Sequence, residues 1–90
     1  MTDASFLWDD DYDEDFIRGY QSLINSGTAW RLEGSVGREA MSLIDSGICA
    51  LGTEGFTDYY GNRIPSRHEV LAGTKGSVQF VNDNGNKVME

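Results

Sequence analysis

Ninety residues make one small domain, and a chain this short buries so modest a share of its surface that its fold is marginal without a partner or a second copy. Fifteen acids against seven bases give a net charge of −8, which disfavours direct nucleic-acid binding, because phosphate contacts need a basic surface. One cysteine and one histidine exclude an internal disulfide and a Cys/His zinc centre, and no apolar run approaches the roughly 20 residues that span a bilayer.

The charge is concentrated at the start of the chain. Residues 1–15 hold Asp3, Asp9, Asp10, Asp11, Asp13, Glu14 and Asp15 and no base, which is −7 of the total. Residues 1–12 therefore read as an acidic-aromatic tail, kept extended by like charges. Phe6, Leu7, Trp8 and Tyr12 stand beside these acids, and a merely solubilising tail needs no tryptophan. Two readings follow. In one, the aromatics dock in a partner's pocket while the carboxylates steer them to a basic surface. In the other, Phe6, Leu7 and Trp8 fold back on the protein's own core. Calcium binding is excluded: Asp9, Asp11, Asp13 and Asp15 match alternate positions of an EF-hand loop, but Glu14 falls where glycine is needed and Tyr20 where a bidentate glutamate is needed. There is no basic, apolar secretory leader, and a chain without disulfides suits a reducing compartment, so an intracellular location is expected.

The first helix is expected over 13–26. Phe16, Ile17, Tyr20, Leu23 and Ile24 share one helical face, acids fill the first turn, and Gly27 supplies a left-handed stop. From Ala29 onward, a helical projection puts Ala29, Leu32, Val36, Ala40, Leu43 and Ile44 on one side and Arg31, Ser35, Arg38, Ser42 and Asp45 opposite. Gly34 and Gly37 interrupt this segment, each costing about 1 kcal/mol in a helix interior. Either one helix runs from 28 to 46 with Gly37 admitting a close neighbour, or a short turn stops at Gly34 and Ser35 caps a new helix. The spelling GSVGR suggests an anion site at a helix start, but a cap with a solvated arginine is the plainer account. LINSG (Leu23–Gly27) returns as LIDSG (Leu43–Gly47): one helix ending used twice, with Ile48 placed to close the second against its last turn. Cys49 lies in the apolar run ICAL and reads as a buried, inert thiol.

Beyond Leu51 the pattern becomes irregular. Tyr60-Gly61-Asn62 reads as a turn between short extended pieces, and Pro65 holds Ile64 away from helix. Ser66 and Glu69 have capping-box spacing, predicting one helical turn to Leu71 that ends at Gly73. Asn84-Gly85 between VQFVND and NKVM predicts a hairpin with Val81 opposite Val88 and Phe80 opposite Met89. Tyr59, Tyr60, Arg63, Arg67 and His68 form either a recognition surface or a cluster tying this loop to the domain. The expected fold is α+β: two packed N-terminal helices, then an irregular C-terminal half with a small β-hairpin, residues 13–90 forming a single domain.

AWRLEGSVGREAMSLIDSG (Ala29–Gly47), then DYYGNRIPSRHEV (Asp58–Val70), then GTKGS (Gly73–Ser77), in that order, resembles small accessory proteins encoded by tailed phages of actinobacteria. The resemblance covers roughly residues 20–80 and brings no catalytic residues with it. It implies a viral origin and a place in the host cytoplasm. No nucleophile elbow, triad or metal spacing accompanies His68, whether paired with Cys49 or with Ser66. The expectation is a non-catalytic accessory protein, without cofactor or metal, that binds and modulates a host or phage protein and contacts neither nucleic acid nor membrane. Its expected docking residues are Phe6, Leu7, Trp8, Asp9, Asp10, Asp11 and Tyr12, with Tyr59, Tyr60, Arg63 and Arg67 as a second surface. The alternative is a structural or assembly component that forms a homo-oligomer.

Overall fold

Asp13 starts the first helix. In the computed structural model, which describes residues 13–32 and 34–90, its carboxylate accepts from the Phe16 N–H at 2.9 Å. Helix α1 then runs from Glu14 to Ser26, with Glu14 and Asp15 in the turn where the dipole favours acids. Its apolar stripe buries Ile24 completely and lays Phe16, Ile17, Tyr20 and Leu23 against the core. Gly27, at φ 83°, ends the helix, and its N–H bonds to Ile24 O at 3.2 Å. A Cβ at this position would stand 2.5 Å from the Phe56 ring, so the glycine serves both the turn and the ring packed on it.

Of the two readings of residues 28–46, the interrupted one holds. Helix α2 is Thr28–Arg31, Leu32 is extended (φ −90°, ψ 138°), and α3 is Ser35–Asp45. Gly34 takes the N-cap at φ 88°, ψ −131°, a conformation that suits glycine; Ser35 is already helical and makes no capping bond. The break turns Leu32 out of the face it shares with Ala29 on a continuous helix, leaving it 45% exposed. α3 ends as α1 does: Gly47 has φ 79° and bonds to Ile44 O at 3.1 Å. Ile48 N then reaches Leu43 O at 2.9 Å and its side chain packs on the core, completing the cap expected from the repeat. α2 packs against both α1 and α3. Ala29, Trp30, Ala40, Leu43 and Ile44 join Ile24 in the core.

The chain then follows one face of α1. Cys49 Sγ lies 3.9 Å from Ile17 O. Ala50 is bonded through both of its main-chain polar groups to the side chain of Gln21. At Gly52 the backbones nearly touch, since a Cβ there would lie 3.0 Å from Ile24 O. A two-stranded antiparallel hairpin follows, β1 (Phe56–Thr57) and β2 (Arg63–Ile64), with Phe56 opposite Ile64 and Thr57 opposite Arg63. It closes at the turn expected around Tyr60-Gly61-Asn62, and Ile64, ahead of Pro65, is extended and buried. Helices followed by a small antiparallel hairpin make the α+β arrangement expected from the sequence.

The hairpin predicted at Asn84-Gly85 is not formed. VQFVND is instead helix α4, Val78–Asp83, with Ser77 as N-cap accepting from Phe80 N at 3.0 Å. An I′ turn needs positive φ at both central residues, but Asn84 sits at φ −90° and only Gly85, at φ 82°, is left-handed. The pair therefore ends a helix, with Asn86 N bonded to Val81 O at 3.1 Å and Val81 fully buried. Phe80 and Met89 are thus not cross-strand partners. The helical turn predicted after Ser66 is likewise only a turn. Glu69 reaches back to Ser66 N at 3.0 Å, but Ser66 Oγ accepts from His68 N rather than from the N–H three residues on. No helix propagates, and Leu71 is exposed.

Candidate functional site

The hairpin tip is pinned beside α2. Tyr59 N donates to Trp30 O at 2.6 Å. Asp58 organises the loop: its Oδ1 accepts from Tyr60 N at 2.9 Å and Asn62 N at 2.7 Å. This places the loop across from the Gly34 break, and a cleft of about 250 Å³ opens between them. Ala29, Trp30 and Ile64 are its buried walls; Met41 and Gly37 contribute from α3. Leu32, Tyr59 and Tyr60 stand on its rim, the tyrosines 55% and 66% exposed and set edge to face with ring centroids 5.1 Å apart. Arg38 lines the same cleft, and Arg31 lies in the chain between Trp30 and Leu32. Both arginines are exposed, and neither makes an ion pair or a side-chain hydrogen bond among the described residues. An apolar hollow rimmed by aromatics, with Arg38 in its lining, has the chemistry of a docking surface.

The second surface expected from sequence divides. Tyr59 and Tyr60 share the cleft rim. Arg63 turns away from it, crossing Gly55 to place Nη2 at 2.9 and 2.8 Å from the two Glu69 oxygens. The bond from Ser66 N, together with Arg63, holds the Glu69 carboxyl below the usual carboxylate range. Arg67 is a tie between segments, its side chain only 10% exposed. Its Nε donates to Leu51 O at 2.8 Å, and its Nη2 reaches Asn25 and pairs with Glu90. The first expected surface, Phe6, Leu7, Trp8, Asp9, Asp10, Asp11 and Tyr12, lies outside the described residues.

Among the described residues, Cys49 and His68 are not brought together. Cys49 is fully buried, and burial pushes its thiol up to about 11. His68 is exposed, and the hydrogen bond it makes to Ser66 comes from its main chain, not its ring. No group of three or more His, Cys, Asp or Glu side chains among the described residues is placed to hold a metal. No helix among them is long and apolar enough to cross a membrane. A second groove, between α1 and residues 85–90, is lined by Glu14, Ile17, Arg18 and Ile48 and is the more polar of the two.

Sequence reasoning missed Trp30, Leu32, Arg38 and Met41 as parts of one site. The one signal for them was the glycine pair, which marks where a helix with a continuous apolar face would break.

Residues 9–63 match a family described as a domain of unknown function, DUF7417. No curated protein and no solved structure matches the chain. The matched span takes in Asp9–Tyr12, all three N-terminal helices and every cleft residue except Ile64.

Proposed function

The chain belongs to the DUF7417 family, and from that premise we propose that it is a non-catalytic phage accessory protein of the host cytoplasm that binds and modulates a host or phage protein. The observation that carries this reading is the apolar cleft with Tyr59, Tyr60 and Leu32 exposed on its rim. A domain with so few large apolar side chains gains little from leaving three of them in water together unless something covers them. The acidic-aromatic segment Phe6–Tyr12 supports the same reading from the sequence side. It calls for a partner that offers an apolar pocket beside a basic surface. The inert setting of Cys49, and a His68 ring without a partner among the described residues, favour binding over catalysis.

The test is capture from actinobacterial lysate by the full-length chain, followed by reconstitution with the purified target. Loss of binding in Trp8→Ala, or in a Tyr59→Ala/Tyr60→Ala pair whose thermal unfolding is unchanged, is the expected result. A target that binds all of these variants with native affinity would sink the assignment of the interface. A measured turnover abolished by His68→Ala in a folded protein would sink the non-catalytic reading.

A further inference from the structure

The acidic-aromatic leader, residues 1–12, and the cleft are chemical complements. The cleft presents the apolar surfaces of Trp30, Leu32 and Met41 with the exposed Arg38 in its lining, and the exposed Arg31 stands next in the chain to Trp30 and Leu32. The leader presents Phe6, Leu7 and Trp8 followed at once by Asp9, Asp10 and Asp11. An apolar run with acids at its end thus meets an apolar hollow that has Arg38 in its lining. Asp58, the acid that lines the cleft among the described residues, is already occupied with the N–H groups of its own loop. Beyond residue 15 the chain has seven bases and eight acids, so the folded body hardly repels an incoming acidic segment.

Reach decides which molecule supplies the leader. Trp8 stands five residues before Asp13, and five residues span at most about 17 Å. α1 has 13 residues and is about 20 Å long. Ala29 and Trp30, which wall the cleft, follow Gly27 at the far end of that helix. A leader serving its own cleft would have to lie fully stretched along the helix, at an entropic cost and with no slack for Trp8 to enter. A leader from another molecule carries no such constraint.

We propose that residues Phe6–Asp11 of one copy dock in the cleft of a second copy, and that the exchange is reciprocal, giving a two-fold dimer with both clefts filled. The dimer covers the rim tyrosines and the leader together. A partner protein that binds either element then competes with self-association, so the free chain is stored in a form that a target must open. This inference goes beyond the proposed function and does not require that any host target exist.

The experiment is sedimentation equilibrium of the full-length chain across the micromolar range, with two charge-reversed variants. The native chain is expected at twice its 10.0 kDa mass. Arg31→Glu/Arg38→Glu sets an acidic leader against an acidic cleft edge. Asp9→Lys/Asp10→Lys sets a basic leader against a basic one. Each variant alone is expected to dissociate at least tenfold more readily than the native chain. Mixed in equal amounts, they restore the dimer, because each leader then faces a cleft of opposite charge. Unchanged thermal unfolding of both variants separates this effect from misfolding. A monomeric native chain, a dimer that survives in both variants alone, or a mixture that stays monomeric each overturns the proposal. A monomer whose tryptophan emission still responds to the cleft substitutions would mean docking within one molecule, and overturns it as well. Failure to capture a host target has no bearing on any of these outcomes.

Discussion

Replacing Gln21 with leucine removes the clamp that holds the post-helix segment to α1. Gln21 has no exposed surface, and its amide meets Ala50 on both sides: Nε2 donates to Ala50 O at 2.9 Å, and Ala50 N donates to Oε1 at 3.0 Å. A third bond runs from Nε2 to Asn25 Oδ1 at 3.0 Å. Ala50 is itself buried, so no water stands ready to replace the amide. Leucine leaves one N–H and one C=O unsatisfied, at about 1–3 kcal/mol each, and its apolar burial returns part of that. The expected net loss is about 3 kcal/mol, out of the roughly 5–13 kcal/mol available to a domain of this size. Thermal unfolding followed by circular dichroism should show the midpoint fall by about 12–24 °C. Asn25→Ala, which spares both Ala50 bonds, should cost about 1 kcal/mol. Gln21→Glu adds a dependence on pH. Its carboxylate is buried facing a carbonyl oxygen, so its folded pKa is raised above the unfolded value. Its contribution is therefore best below about pH 4.3 and is lost as pH rises from there through the folded value. A loss under about 1 kcal/mol in Gln21→Leu would refute the view that this amide, and not apolar packing alone, joins the two segments.

Two glycines of α1 and its stop should respond in opposite directions. Gly19 is helical, and an added Cβ there would have nothing within 4 Å, so Gly19→Ala should raise stability by about 0.5–1 kcal/mol. Gly27→Ala meets both a left-handed backbone and the Phe56 ring and should cost about 2 kcal/mol or more; urea titration measures both. Cys49, buried with its thiol raised to about 11, should react with an aromatic disulfide reagent at neutral pH only as fast as the chain opens, so adding denaturant should accelerate labelling in step with unfolding. Glu69 is held below the usual carboxylate range by Ser66 N and Arg63, so its stabilisation is present above the ordinary glutamate value of about 4.3 and fades as pH falls through the lowered folded value. Urea midpoints of the native chain and of Glu69→Gln should therefore differ near neutral pH and converge in acid.

What could be read from the sequence was whatever is decided within one or two helical turns. The stripe from Phe16 to Ile24, the Asp13 start and the Gly27 stop involve neighbours three or four residues apart, and α1 followed them. The repeated LI-polar-SG ending held for the same reason, because the left-handed glycine and its bond to the isoleucine carbonyl are complete within five residues. Asn84-Gly85 failed because that dipeptide satisfies two local rules, a hairpin turn and a helix stop. Ser77, seven residues earlier, settled the choice by capping a helix whose one buried residue is Val81. The Gly34 break was visible as one of two readings. A helical projection cannot choose between them, since it keeps its phase across a glycine whether or not the backbone does.

The cleft was less legible because its two sides lie far apart in the chain. Residues 29–41 supply one side and residues 58–64 the other; Ile64 joins Ala29 and Trp30 in the core, and among the described residues one main-chain bond, from Tyr59 to Trp30, links the two sides. The arginines illustrate the limit. Arg63 and Arg67 lie in one short stretch, Arg-Ile-Pro-Ser-Arg, and look equally available for recognition. Arg67 is nonetheless consumed by Leu51, Asn25 and Glu90, which lie 16, 42 and 23 residues away, while Arg63 spends its charge on a nearer glutamate. Arg38, which a helical projection assigns to a solvated face, is the one left in the lining of the apolar cleft, and Arg31, next to Trp30 in the chain, is exposed without a partner among the described residues. A cation's availability for binding is thus fixed by which partners the tertiary fold has already given it, so the residues to test are those whose partners the fold did not supply.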